Sequence, residues 1–308
     1  MAESPFPPHA VKPYRDRYEC PNVHFSNDGL HWDSVLVNPI DDLTSEEIKN
    51  KDYFSDPHLV LHDNKLELYY RYISGNSKHT VIFMKSSIDG ANWSDRKRII
   101  DTDNQTDVSI FGNEIISPSF VYDCNILTCW YVDDTYTNIC RRIICIKDAI
   151  GNPKRSECVL KGEHNIIPWH IDVQFFSEKF YLLVYDCNHK NISLFLSDDG
   201  VEFVFDKIIL VPSHSIKDYY IYIYRACSIS TSYQSINIYF SAANKAESYI
   251  GLIQYKNNIV ELIDCQVDNC LLGGGKCRYV VKFWTNILVF YLFKVVRKLF
   301  KIDICFQL

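Results

Sequence analysis

Glycine and proline are scarce in this chain, at 11 each in 308 residues, and methionine is nearly absent, at 2. That scarcity excludes collagen-like and low-complexity architectures. The uncharged stretch from Phe283 to Phe293 has only 11 residues. A membrane-spanning helix needs about 20, so none is expected there. No basic stripe with interleaved aromatics runs through the body of the chain, and the net charge is −6. Both weigh against a nucleic-acid partner. The 12 cysteines show no CxxC pair and no zinc spacing. They read as buried reduced thiols rather than as a disulfide framework or metal site. The N-terminus, Met-Ala-Glu-Ser-Pro-Phe-Pro-Pro, lacks a basic region followed by an apolar one. No secretory signal is expected, and a cytoplasmic location follows. No metal or cofactor is predicted.

What is abundant points to strands. The chain is 47% hydrophobic and 23% charged, with 21 Tyr and 18 Phe. Such aromatic residues fit a pleated, half-buried surface. A Ser-x-Asp-Gly-x-x-aromatic pattern recurs at Ser26–Trp32, Ser87–Trp93 and Ser197–Phe203. Its Asp residues, Asp28, Asp89 and Asp199, are 61 and 110 residues apart, the second spacing being twice 55. An Asp-Gly pair between apolar runs is a strong hairpin signal. A second pattern pairs a short first strand with an aromatic-rich second one. It starts at Asp56, Ser117, His170 and Arg225, spaced 61, 53 and 55 residues apart. Four antiparallel strands repeated radially make a propeller blade.

The predicted fold is therefore all-β: a five-bladed β-propeller over residues 1–265, its N-terminal strands closing the ring. A C-terminal amphipathic segment, residues 276–308, follows Gly273-Gly274-Gly275. Within it, Lys294, Arg297, Lys298 and Lys301 lie at helical spacings beside large apolar residues. Two readings stay open for residues 281–301. One is a helix on an anionic membrane surface at the inner face of the membrane. The other is a terminal helix or strand packed on the propeller or on a second subunit.

The strand starts carry a more specific pattern: Ser55-Asp56-Pro57-His58-Leu59-Val60, Ile116-Ser117-Pro118-Ser119-Phe120-Val121 and His170-Ile171-Asp172-Val173-Gln174-Phe175. Over roughly residues 19–262 the chain resembles the five-bladed glycoside hydrolases, the superfamily that includes families 43, 32 and 117. That resemblance implies a central funnel in which carboxylates at inner-strand starts surround a sugar. It makes Asp56 the general base or nucleophile, with Pro57 holding it extended toward the axis. It makes Asp172 the acid that tunes the proton donor and orients the substrate. Ser117 opens the second blade, where these enzymes usually carry no acid. The fourth blade departs from the pattern: Tyr224-Arg225-Ala226 stands where a general-acid Glu is expected.

Three residues are candidates for the missing acid. His170 shares a strand face with Asp172, and a nearby carboxylate would hold it protonated. His58 bears the same relation to Asp56. Glu19, in Glu-Cys-Pro, resembles the acid motif of family-32 enzymes. It precedes a strand near the N-terminus rather than opening an inner strand, so it ranks last. Trp169 is a candidate sugar platform. Arg225 and Arg71 are candidates to bind a carboxylate, phosphate or sugar hydroxyl.

The expected function is hydrolysis of a glycosidic bond in an oligosaccharide, by Asp56, Asp172 and His170. His58, Trp169, Arg225, Arg71 and Ser117 are the expected substrate contacts. The alternative is a non-hydrolytic glycan-binding or surface-polysaccharide biosynthesis protein at the inner membrane face. An Asp56→Asn change is expected to abolish turnover while leaving the unfolding temperature nearly unchanged.

Overall fold

The Ser-x-Asp-Gly turns fold identically in all three places. In each, the Ser hydroxyl accepts from the Gly N–H at 2.8 to 2.9 Å. The Asp Oδ1 accepts from the two N–H groups after the Gly, again at 2.8 to 2.9 Å. Gly29, Gly90 and Gly200 all have φ of 73°, in the left-handed region that favours glycine. These backbone bonds hold the Asp28, Asp89 and Asp199 carboxyls below the usual range.

The structure is a computed structural model. It describes residues 1–3, 19–77, 79–134, 141–163, 165–212, 222–232, 235–243, 248–256, 259–267, 278–279 and 283–285. Four blades follow in chain order. The first comprises Tyr53–His62 (β4), Lys65–Ile73 (β5), Thr80–Ser87 (β6) and Lys97–Asp101 (β7). The second comprises Ile116–Asp123 (β8), Ile126–Asp133 (β9), Arg142–Lys147 (β10) and Lys154–Glu157 (β11). In the third, Pro168–Phe176 (β13), Lys179–Asp186 (β14), Asn191–Ser197 (β15) and Glu202–Leu210 (β16) form the blade. The short strand Val159–Lys161 (β12) runs parallel to β16 at its rim. The fourth comprises Tyr222–Ser232 (β17), Ser235–Ala243 (β18), Ser248–Lys256 (β19) and Ile259–Val267 (β20). The innermost strands are β4, β8, β13 and β17. Contacts join β4 to β8, β8 to β13 and β13 to β17.

The repeat predicts five blades, and four are found. The expected fifth is a three-stranded sheet of Ala2–Glu3 (β1), Asn22–Phe25 (β2) and Asp33–Ser34 (β3). Its strands have two to four residues, too short for a full blade. The surrounding segment still touches both neighbours. Cys20, Val23, Ile40 and Leu43 pack against Phe54, Leu68 and Tyr70 of the first blade. Trp32 meets Tyr239 of the fourth edge-on at 5.4 Å, and the Tyr239 hydroxyl donates to the Gly29 carbonyl.

The apolar core is divided among the blade interfaces, as the burial of each sheet face against the next requires. Trp130, Val132 and Cys145 of the second blade pack on Ile171, Val173 and Phe195 of the third. Leu183 and Ile192 pack on Ile236, Ile238 and Phe240. Tyr69 stacks on Phe120 with ring centroids 4.2 Å apart. In the fourth blade the Phe240 ring lies over Gly251, where an added Cβ would sit 2.1 Å from its Cζ. Gly251→Ala is expected to cost about 1–3 kcal/mol by overpacking. The midpoint of urea unfolding reads it, and an unshifted midpoint would contradict this packing.

Seven of the described cysteines are free thiols, four of them buried. Burial pushes the Cys145 thiol up to about 12. At the C-terminus, Arg278–Tyr279 (β21) and Phe283–Thr285 (β22) pair antiparallel with β20. The rest of segment 276–308, including most of the surface expected over 281–301, lies outside the described residues. No described helix is long and apolar enough to cross a membrane.

Candidate functional site

The innermost strands break register near their starts. Bulges lie between Ser55 and His58, Ile116 and Ser119, Pro168 and His170, and Ile223 and Ala226. A bulge re-aims one side chain without unpairing the strand. Here it turns Asp56, Ser117, Trp169 and Arg225 at equivalent places. Asp56 and Ser117 both have φ of 50°. The left-handed backbone of Asp56 replaces the extended one expected before Pro57, and such conformations cluster at functional sites.

Asp56 is buried at the centre of the resulting cluster. Its Oδ2 accepts from Arg71 Nη1 at 2.5 Å and from the Ser117 N–H at 3.2 Å. Its Oδ1 accepts from Arg225 Nη1 at 2.9 Å, across 169 residues of chain. Arg225 Nη2 also donates to the Pro57 carbonyl. Burial opposes ionisation of Asp56, but Arg71 and Arg225 outweigh it and hold the carboxyl well below the usual range.

His170 lies beside this carboxylate, with Nδ1 3.6 Å from Asp56 Oδ1. It is 6% exposed, and neither ring nitrogen has a hydrogen-bond partner among the described residues; nor does Arg71 Nε. Burial lowers the His170 pKa most. Asp56 acts the other way, but Arg225, Arg71 and Arg141 reinforce burial, and the value falls from 6.5 to about 3. The expected protonated His170 is therefore replaced by a neutral imidazole.

That shift links to stability with a definite sign. The unfolded chain protonates this histidine near 6.5 and the folded chain only near 3. Its contribution is fully present above pH 6.5 and is lost as pH falls toward 3. One such proton adds a slope of up to about 1.4 kcal/mol per pH unit. Urea unfolding between pH 7 and pH 4 should show a shallower decline for His170→Gln than for the parent chain. Equal slopes would contradict the neutral assignment.

Aromatic and further charged groups line the same mouth. The Trp169 indole N–H donates to the Tyr224 hydroxyl at 3.2 Å. The Arg141 guanidinium lies 3.7 Å from the Trp169 ring centroid and is held by Asp134 at 2.9 Å. Tyr224 meets His170 edge-on at 4.4 Å and is half-exposed. Glu19, ranked last from sequence, belongs here too. Its carboxyl is electrostatically coupled to Asp56. Burial raises its pKa, the neighbouring Ser55 lowers it, the Asp56 carboxylate raises it further, and Arg71 and Arg225 lower it. The net direction is upward.

Three predicted site residues engage their side chains in contacts between blades. Asp172 is 2% exposed. Its Oδ2 accepts from the Ser228 N–H at 2.8 Å and from the Ser228 hydroxyl at 2.6 Å. Its Oδ1 faces His58 Nε2 at 3.3 Å. His58 Nδ1 accepts from the Phe120 N–H, so Nε2 carries the proton, and Ser119 Oγ lies 3.2 Å from it. Ser117 is fully buried, its hydroxyl bonded to the backbone of Ile171. Asp172 and His58 are thus pins between blades, and Ser117 steadies Asp56 through its N–H. Residues two apart share a strand face but sit ~6.6 Å apart along it. Asp172 therefore lies one layer below His170.

No cluster of potential metal-binding side chains occurs among the described residues. No protein-family profile and no curated protein matches the sequence. Solved structures do match the fold. A thermostable family-43 glycoside hydrolase overlays 86% of this chain and 89% of its own, with TM-score 0.57 and 13% identity. RS223-β-xylosidase overlays 67% of this chain and 72% of its own, with TM-score 0.48 and 10% identity. CoXyl43, a family-43 β-xylosidase/α-arabinofuranosidase from a compost microbial metagenome, overlays 62% and 64%, with TM-score 0.44 and 13% identity. The chain thus has the β-propeller fold that the thermostable family-43 glycoside hydrolase also has.

Proposed function

We propose that this mouth binds an oligosaccharide and cleaves a glycosidic bond, with Asp56 as the general base. The observation that carries the reading is the pairing of ionised Asp56 with a buried, neutral His170 whose ring nitrogens are both unpartnered. A neutral imidazole presents one N–H and one lone pair. A sugar hydroxyl both accepts and donates, so it satisfies that pair. Trp169 and Tyr224 supply an apolar wall with polar tips, suited to the C–H faces and hydroxyls of a sugar ring. The shared propeller fold is consistent with this chemistry but does not establish it.

A second reading is glycan binding without cleavage. The clamp on Asp56 favours it, because a carboxylate held this far below its usual range accepts a proton poorly. A panel of oligosaccharides separates the two. Hydrolysis releases one new reducing end per bond cut, and calorimetry detects binding alone. Release of reducing ends supports the first reading, and binding without release supports the second. Neither signal across neutral and acidic sugars would overturn both.

A further inference from the structure

The innermost strands carry the mouth at one end and their hairpin turns at the other. In three of them the turn has two residues, both with positive φ: Asp63-Asn64, Cys124-Asn125 and Ser177-Glu178. That geometry matches the twist of the paired strands. Apolar side chains stand exposed at this end in all four blades. Leu61 of β4 is 70% exposed, Ile126 of β9 48%, Phe175 of β13 36% and Ile229 of β17 54%. A lone exposed leucine needs no explanation. Four such residues at one end of adjoining blades, whose innermost strands touch in sequence, make a collar around the axis.

The chain leaves the fourth blade at this same end. β22 runs antiparallel to β20, with Phe283 opposite Leu262 and Thr285 opposite Val260. Ile259, next to Val260, pairs with Lys256 of β19, and Lys256 pairs with Ser235 at the turn end of β18. Thr285 therefore ends at the face of the hairpin turns, away from the mouth. From β22 inward to β17 there are four strand spacings, about 19 Å. Residues 286–308 follow Thr285 and number 23. Such a length spans about 35 Å even when coiled as a helix, and more when extended. It is enough to reach the axis. Ile259, also exposed, lies on the way.

Segment and face also match in chemistry. The segment opens on Ile287, Leu288, Val289 and Phe290 and continues to Lys294, Arg297, Lys298 and Lys301, against one acid, Asp303. Around the described turns, Asp63, Asp123, Glu178 and the nearby Asp198 outnumber Lys65 and Lys179. We propose that residues 286–308 dock on the collar of Leu61, Ile126, Phe175 and Ile229 in the same chain. Apolar contact supplies the drive, and the acidic turns face the basic residues. Those acids disfavour an anionic lipid surface at this face. A tethered segment has an effective concentration of about millimolar, so it outcompetes a second copy present at about micromolar concentration. The collar lies at the far end of the axis from Asp56, so docking there stands apart from the glycosidase reading.

Zero-length carbodiimide coupling of the full chain provides the test, because it joins a lysine amine to a carboxylate in direct contact. Peptide mapping of the monomer is expected to show Lys294, Lys298 or Lys301 joined to Asp63, Asp123, Glu178 or Asp198. A full chain carrying Leu61→Asn and Ile229→Asn should yield about tenfold less of those links. Both side chains are exposed on the blades, so neither change disturbs blade packing. An undiminished yield in that variant overturns the collar as the docking site. Absence of those links from the parent monomer overturns the proposal outright, and two further readouts then name the occupant. The same links confined to a cross-linked dimer assign the collar to a second copy. Flotation of the full chain with phosphatidylserine vesicles, without the monomer links, assigns the segment to a membrane.

Discussion

Asp56→Asn should lower turnover of a cleavable oligosaccharide by about 10²–10⁴-fold, the usual contribution of a positioned base. Asparagine keeps the shape and loses both the charge and the basicity. The change also removes the carboxylate that bonds both Arg71 and Arg225. Arg71 is 11% exposed and Arg225 21%, so water replaces the lost partner incompletely. Breaking such a buried pair typically costs about 3–5 kcal/mol. The expectation of an unchanged unfolding temperature therefore does not survive the structure: a measurable fall is expected. Rates must be compared where denaturation curves show both chains folded. Undiminished turnover there would remove Asp56 from the mechanism.

Asp172→Ala carries a comparable expected loss of stability. It strips the acceptor from the Ser228 N–H, the Ser228 hydroxyl and His58 Nε2 in one step. Each buried donor left unpaired costs about 1–3 kcal/mol. Partial relaxation keeps the total near 3–5 kcal/mol, a large share of the 5–15 kcal/mol of a typical domain. Chemical denaturation measures it directly. Two further readouts separate a structural pin from a substrate-orienting acid. Asp172→Asn, which keeps one acceptor oxygen for Ser228, should recover part of the loss. The folded fraction of Asp172→Ala should bind glycan with unchanged affinity. Wild-type stability with weakened binding would return Asp172 to the mouth.

These two aspartates show how far a strand pattern reaches. Both lie on innermost strands, and both were expected around one sugar. Asp56 sits at a bulge that turns it into the mouth, while Asp172 follows its strand start by enough to lie beneath. Alternation along a strand shows which residues share a face, not how deep each one sits. Arg71, Arg225, His170 and Trp169 were also expected at the site, and they converge on Asp56 or border it. His58 and Ser117 shared the same sequence signal and became ties between blades.

Glu19 ranked last for its place in the chain, and the tertiary structure brings its charge near Asp56, Arg71 and Arg225. A propeller closes on itself, so a residue far from any inner strand can still border the axis. The bridging N-terminal segment does this in a sheet too short to count as a blade, which also explains why five periods were expected and four blades formed.

What the sequence determined by itself is local. It specified the Ser-x-Asp-Gly turns, the blade period and the positions at which the innermost strands begin. Such features depend on backbone sterics and on hydrogen bonds spanning three or four residues. Only the tertiary structure decided the layer of each carboxyl, the neutral state of His170 and the opposite shifts of Asp56 and Glu19. Those depend on burial and on charges brought from distant parts of the chain, as Arg225 is brought to Asp56 across 169 residues.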